Sequence, residues 1–292
     1  MAQTFLVTGA GGQLGRRVLE LLVQAKPGKL IATTRNPDKL ADFVRQGVEV
    51  RKADFNDAAA LADAFSGADR LLLVSTDELA TPGKRLAQHR AAVAAAEKAG
   101  VKHVVYTSAP ATYPTPGGSL TDDHFWTEQA LIGSRLDWTI LRNSLYTDLL
   151  LMSLPHAAAT GQLFTATGTA ARNYVTREDC ARTAAAALIK AAGKQILHVN
   201  GPVTQAEIAA IVSELTGKTV THIPVSPDDL RKGLGGAGLP PFLVEALVAF
   251  DIDAARGYHA INAPTVQELT GRAPTSVRAF LTEHRAALLA GH

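Results

Sequence analysis

Gly9, Gly12 and Gly15 follow directly on the apolar run Thr4-Phe5-Leu6-Val7-Thr8 and precede an apolar helical pattern. Glycines at this G-x-x-G-x-x-G spacing suit one task, which is to let backbone N–H groups close around a phosphate. One permits a tight bend, one lets the amides approach a pyrophosphate, and one lets the helix pack close to the strand. The stretch Gly9-Ala10-Gly11-Gly12-Gln13-Leu14-Gly15 is therefore read as a dinucleotide loop. A glycine turn that merely closes a strand–helix junction is the other reading. The flanking strand and helix that a dinucleotide loop requires are both in the sequence.

A second chemical signal belongs at the end of the next strand, about twenty residues on, where an acid holds ribose hydroxyls or an arginine meets a 2′-phosphate. The sequence there is Thr33-Thr34-Arg35-Asn36-Pro37, with no acid, and Arg35 holds the position. A guanidinium suits a phosphate by charge and by its forked donors. Lys39 adds a second charge one turn later. The reading is NADPH over NADH; the alternative is that Arg35 is a solvated residue before a helix. Asp54-Phe55 after the third strand are placed beside the adenine, and Ser75-Thr76 after the fourth beside the phosphates and nicotinamide ribose. Both sit at carboxyl ends of strands, where open α/β sheets bind ligands.

The elements that must position these residues alternate. Strands are expected at 29–34, 48–52, 70–74, 101–107 and 137–142, with helices at 13–24, 58–65, 86–98 and 122–134 and another opened by Asn36-Pro37-Asp38. Nearly continuous apolar strands between helices indicate a parallel sheet covered on both faces. The fold class is α/β, a doubly wound Rossmann sheet with a smaller helix-rich C-terminal lobe. Residues 1–142 form the cofactor-binding core, rejoined by 172–200; residues 143–171 and 201–292 form the lobe over the cofactor cleft. A helix is expected at about 146–158 and a single amphipathic one at about 276–289.

Composition narrows the classes. Net charge is +2 over 292 residues, too mild for nucleic acid as the main partner. Mean hydropathy is +0.07, and the apolar run Leu149 to Leu154 is too short to span a membrane. The N-terminus has no basic flank of a signal peptide. One cysteine, Cys180, excludes an internal disulfide and a cysteine-rich zinc site; it reads as a small buried residue in a reducing cytoplasm. No metal site is expected, Asp122-Asp123-His124 having no second ligand cluster. A homo-oligomer is left open.

The catalytic signal is partly an absence. Many short-chain dehydrogenases place a lysine four residues after a tyrosine, whereas Tyr106, Tyr113, Tyr146, Tyr174 and Tyr258 are followed at that spacing by Pro110, Gly117, Leu150, Glu178 and Asn262. Reduction that leaves a localised alkoxide needs such a donor. A quinone or a cationic dye delocalises or neutralises the arriving charge, so positioning suffices.

Gly9 to Gly15, Arg35-Asn36-Pro37, Gln88-His89-Arg90, Tyr106-Thr107-Ser108, Asp123-His124 with Glu128, and Leu141-Arg142-Asn143 with Tyr146 stand in an order that resembles the atypical short-chain reductases of the NmrA-like group. The likeness is strongest to bacterial NADPH quinone oxidoreductases and triphenylmethane-dye reductases, and Thr270 to Ser276 is similar to the closing segment of the extended short-chain group. The resemblance implies a Rossmann fold, NADPH with Thr107 and Ser108 among its contacts, and a small planar acceptor of quinone, azo or triphenylmethane type. Tyr113 to Gly117 looks like a loop over the active cleft. Asn143 and Tyr146 are the candidates for the substrate pocket, although Asn143 as cap of the next helix and Tyr146 as packing beneath it are equally consistent. His124 is expected to orient an acceptor, donate a proton, or only hydrogen-bond a neighbouring loop. His89 is expected to pack or to hydrogen-bond within its own helix. A non-catalytic NADP(H)-sensing regulator with a protein partner is the alternative to an enzyme.

Overall fold

The structure is a computed structural model that describes residues 2–110, 113–114 and 120–290. The expected cleft loop falls in large part on residues 115–117, outside those described. In chain order the elements are β1 (Thr4–Val7), α1 (Gln13–Ala25), β2 (Lys29–Thr34), a 3-10 turn (Pro37–Leu40), α2 (Ala41–Val44), β3 (Glu49–Lys52), α3 (Ala58–Phe65), β4 (Arg70–Leu73), α4 (Lys84–Lys98), β5 (His103–Ser108), α5 (Leu120–Ile132) and β6 (Asp137–Asn143). There follow β7 (Leu145–Tyr146), a 3-10 turn (Thr147–Leu149), α6 (Leu150–Thr160), β8 (Gln162–Thr165), β9 (Ala171–Val175), α7 (Arg177–Lys190), β10 (Gln195–Val199) and β11 (Gly201–Thr204). The chain closes with α8 (Gln205–Thr216), β12 (Thr221–Pro224), α9 (Pro227–Gly236), α10 (Pro241–Ala255), α11 (Thr265–Thr270), α12 (Val277–Glu283) and α13 (Arg285–Leu289).

Two compact units divide the chain. The first comprises Met1–Arg142, Glu178–Val199 and Thr265–Arg272. Its seven-stranded sheet runs β3-β2-β1-β4-β5-β6-β10, with parallel pairing from β3 through β6. The order reverses between β1 and β4, so the carboxyl ends of those strands form the switch point at which such sheets take ligands. Every residue of β5 is buried, as is the Leu71-Leu72-Leu73 run of β4, because helices cover the sheet. On one face Leu61 and Phe65 of α3, Ala92 and Ala96 of α4 and Leu131 of α5 pack on Leu6, Ile31, Leu71, Tyr106 and Ile140 of the strands.

The second unit comprises Asn143–Arg177, Asn200–Pro264 and Ala273–His292. It holds a three-stranded sheet, β11-β9-β7, and the parallel pair β12-β8. Its main core gathers Leu154 of α6, Tyr174 of β9, Ile208 and Val212 of α8, and Phe280, Leu281 and Leu288 near the chain end.

Three local expectations differ from this architecture. The strand at 171–175 does not rejoin the Rossmann core: it pairs antiparallel with Gly201–Thr204 and parallel with Leu145–Tyr146, so the core takes the chain back from Glu178 and also takes Thr265–Arg272. The helix expected from Tyr146 begins at Leu150, because Leu145 and Tyr146 pair with Tyr174 and Val175. The single C-terminal helix is broken at His284, whose ring stacks on Phe280 with centroids 4.2 Å apart. Among the described residues no helix is long and apolar enough to cross a membrane.

Candidate functional site

Thr8 fastens the end of β1 to β4: its hydroxyl donates to the Leu72 carbonyl and accepts from the Val74 N–H, each at 3.0 Å. The chain then turns at Gly9, whose φ of +60° falls in the left-handed region that favours glycine. Gly12 N–H closes the turn on the Gly9 carbonyl at 2.9 Å, and Ala10 N–H ties it to Thr33 of β2 at 3.0 Å. A Cβ at Gly15 would stand 2.4 Å from the Gly9 carbonyl oxygen, so α1 approaches the loop as closely as only glycine allows. The N-cap residue of α1, Gly12, brings no side chain, and its first turn carries no acid. The N–H groups of Gln13, Leu14 and Gly15 have no intrahelical acceptor at that position. Uncovered donors at the positive end of a helix dipole fit a pyrophosphate.

Beyond β2 the Thr34 hydroxyl accepts from Asn36 N–H at 3.3 Å, and the Asn36 carboxamide accepts from Asp38 N–H at 3.1 Å. This turn leaves Arg35 and Lys39 exposed, and neither side chain has an ion pair or hydrogen bond among the described residues. Among the described residues Arg35 is thus an exposed, unpaired cation at the strand end. Arg16, which sequence reasoning missed, braces the same turn. It donates to the Lys39 carbonyl at 3.0 Å, pairs with Asp42, and lies 4.9 Å above the Phe43 ring. Its position one turn into the glycine-loop helix was the available signal.

Asp54 accepts from both the N–H and the side chain of Asn56 at 2.9 Å, and Asn56 accepts from Gln88 of α4 at 3.0 Å. Phe55 is half-buried against the sheet core. Ser75 N–H donates to the Thr107 hydroxyl at 2.9 Å, which joins the ends of β4 and β5. Thr76 N–H donates to His89 Nε2 at 3.0 Å, so His89 is packed, at 0% exposure, but its hydrogen bond reaches out of the helix and does not lie within it. Ser108 is committed elsewhere: its hydroxyl donates to Glu128 Oε1 at 2.6 Å, and that carboxylate takes two bonds from Arg142 at 3.0 and 2.6 Å.

His124 is buried on α5 with both ring nitrogens engaged. A guanidinium only donates, so Arg85, 3.0 Å from Nε2, makes that nitrogen an acceptor and puts the ring proton on Nδ1. Nδ1 then donates to the Tyr106 hydroxyl at 2.7 Å. Burial first, then Arg85 and His89, hold the His124 pKa well below the ordinary value. The ring is closed in between α4 and β5, so its hydrogen bonds to Arg85 and Tyr106 go to a helix and a strand and not to the neighbouring loop of the third expectation. Tyr106 is fully buried, and burial pushes its phenol pKa up. Among the described residues no group of three or more His, Cys, Asp or Glu is placed to hold a metal ion.

In the second unit Asn143 is 7% exposed, and neither its Nδ2 nor its Oδ1 has a hydrogen-bond partner among the described residues. The buried hydroxyls of Ser144 and Thr147 are likewise unpartnered. Asn143 caps no helix: α6 starts seven residues later, with Leu149 in the cap position and no side-chain cap. A buried amide left unpaired costs about 1–3 kcal/mol, and such groups mark places where something else supplies the partner. Tyr146 is half-buried beneath the Arg177 guanidinium, 5.1 Å from its ring, and Arg177 is fixed by Asp148 at 3.0 Å.

Residues 9–191 match the NAD(P)H-binding family. Quinone oxidoreductase 2 of Escherichia coli is 37% identical over 283 residues, spanning 95% of this chain and 97% of that protein. Among solved structures, an NADPH-dependent quinone oxidoreductase of Escherichia coli complexed with NADPH has a TM-score of 0.88 at 35% identity, covering 96% of this chain and 99% of that one. The Citrobacter triphenylmethane reductase complexed with NADP(H) has a TM-score of 0.86 at 32% identity with the same coverage of 96% and 99%.

Proposed function

This chain belongs to the NAD(P)H-binding family, and we propose on that premise that it reduces a quinone or a similarly flat electrophile at the expense of NADPH. It is an NAD(P)H-dependent oxidoreductase with NADPH as cofactor. When bound, NADPH supplies a hydride from its nicotinamide ring. Within the chain, the N–H groups of Gly11 and of Gln13, Leu14 and Gly15 hold the pyrophosphate while the Gly12 N–H keeps the turn closed on Gly9, Arg35 with Lys39 meets the 2′-phosphate, and Asp54 and Phe55 flank the adenine. Ser75, Thr76 and Thr107 border the ribose and nicotinamide. Ser108 contributes through Glu128 to the end of β5, since its hydroxyl already has a strong acceptor.

The observation that carries the acceptor assignment is Asn143, whose buried carboxamide offers a donor and an acceptor that nothing in the described chain uses. We assign it to hydrogen-bonding the oxygen or nitrogen of the acceptor, with Tyr146 as an aromatic surface held by Arg177. His124 acts at one remove, through Tyr106. The absence from the sequence of a lysine four residues after any tyrosine fits an acceptor whose added charge spreads over a conjugated system.

The test is to follow NADPH absorbance with purified protein against benzoquinone, naphthoquinone, azo and triphenylmethane acceptors. Turnover of one class with a KM in the micromolar range is expected. Tight NADPH binding with no turnover of any acceptor would sink the reductase assignment and favour a sensor of cofactor occupancy.

A further inference from the structure

Thr76 lies past the end of β4, in a stretch with no regular secondary structure, and every hydrogen-bonding group it owns is taken by one helix. Its N–H donates to His89 Nε2 at 3.0 Å, its carbonyl accepts from Arg85 Nε at 2.8 Å, and its hydroxyl donates to Gln88 Oε1 at 2.8 Å. Arg85, Gln88 and His89 stand at i, i+3 and i+4 on α4, a spacing that puts them on one face. All three are buried, at 2%, 7% and 0% exposure.

A loop could be packed more cheaply. Burying a guanidinium and an imidazole is expensive, and an apolar face of equal volume is often the more stable choice. The Arg85 charge has a carboxylate only at 3.5 Å, in Asp123. What these side chains provide, and leucines would not, is one defined position for the peptide at Thr76. The clamp is itself held from behind. His89 Nε2 accepts, so its Nδ1 carries the proton and donates to Thr127 at 3.0 Å, while Thr127 donates to the Asp123 carbonyl at 2.6 Å. Arg85 reaches Tyr106 through His124, and Gln88 reaches Asp54 through Asn56.

We infer that Arg85, Gln88 and His89 are positioning residues of the nucleotide site, which fix the main chain of Ser75-Thr76 and link it to the Asp54 loop. The inference rests on the assignment of Ser75 and Thr76 to the cofactor border; it adds residues that lie behind that border and touch no ligand.

The experiment uses the full chain with His89→Leu, His89→Gln and Gln88→Ala. Equilibrium NADPH binding, melting temperature and hydrogen exchange at the Thr76 amide are read on each. Glutamine places an acceptor near the position of Nε2, so it is the conservative rescue. His89→Leu is expected to raise the NADPH Kd about tenfold and to speed exchange at Thr76, with His89→Gln recovering most of both; Gln88→Ala raises Kd about threefold. In turnover, KM for NADPH rises more than kcat falls. A folded His89→Leu protein whose Kd stays within twofold of wild type overturns the inference, whatever its melting temperature. Should that variant fail to fold, an unchanged Kd in Gln88→Ala overturns it equally. Binding is measured without acceptor, so a wild-type protein that holds NADPH and reduces nothing would defeat the reductase assignment and leave this one standing.

Discussion

Around Tyr106 in the first unit, buried polar groups answer one another; from Asn143 to Thr147 in the second, they do not. His124, His89 and Thr127 each meet a defined partner, and the one orphan in that group, Arg85 Nη1, still faces Asp123 at 3.5 Å. Asn143, Ser144 and Thr147 are buried to a similar degree and leave four polar atoms without partners among the described residues. A satisfied network stabilises and positions, whereas an unsatisfied one is complete only with a ligand or solvent. The difference separates two residues of equal chemical promise: the ring nitrogens of His124 are both engaged, whereas the carboxamide of Asn143 is buried with neither atom partnered among the described residues.

The largest test of the satisfied side is Glu128→Leu. The Glu128 side chain is 1% exposed and takes both Arg142 and Ser108, so its loss strands a cation and a hydroxyl. A fall of about 3 kcal/mol in urea-unfolding stability is expected. A change below about 1 kcal/mol would mean that the network is no more binding than a surface pair.

How far the chain could be read in advance follows the same division between local and distant causes. The elements at 29–34 and 58–65 have the expected bounds because periodicity and burial agree within each segment. The two-residue strand Leu145–Tyr146 has no local signature; its extended form depends on Tyr174 and Val175, about thirty positions on. The glycine turn was legible because its geometry depends on residue type at fixed spacing, Gly9 taking a positive φ and Gly15 the close approach to the Gly9 carbonyl. The clamp on Thr76 was not, since Arg85, Gln88 and His89 look like ordinary helix residues until the partner on the other side of a loop is known.

A pH series sharpens the comparison by showing what it does not depend on. His103 in the first unit bonds Thr139 at 3.0 Å, while both ring nitrogens of His259 in the second lack partners among the described residues, yet burial lowers each to a pKa of about 4. An unfolded histidine titrates near 6.5, so below that pH the unfolded chain takes up a proton that the folded one refuses. The stability is whole above about pH 7 and is lost as pH falls toward 4. From pH 7 to 5 each histidine accounts for about 2 kcal/mol. Urea midpoints at pH 7 and 5 should show that drop shrinking in His103→Gln and in His259→Gln alike. A variant that leaves the drop unchanged would show its histidine to be solvated.

Asn143→Leu is the test of the unsatisfied side. A leucine of similar volume removes a buried amide that has no partner, so unfolding stability should hold or rise, against the loss expected in Glu128→Leu. Acceptor kcat/KM should fall about tenfold, near 1.4 kcal/mol. Lost stability with unchanged kcat/KM would reverse the assignment and make Asn143 structural.

Arg35 is a third case, neither buried nor partnered among the described residues, and it carries the smallest expected effect. An exposed cation gains little from a mobile anion, but a guanidinium set at a strand end can grip a phosphate by two donors. Arg35→Ala should therefore weaken NADPH about fivefold to tenfold and leave NADH within twofold, because only the first carries the 2′-phosphate. The loss should shrink as salt rises, since the contact lies at the surface. Lys39 remains in the variant as a second exposed cation on the same turn, which is why the loss is not larger. Equal weakening of both nucleotides would place Arg35 outside the phosphate site and leave cofactor choice to the glycine loop and its neighbours.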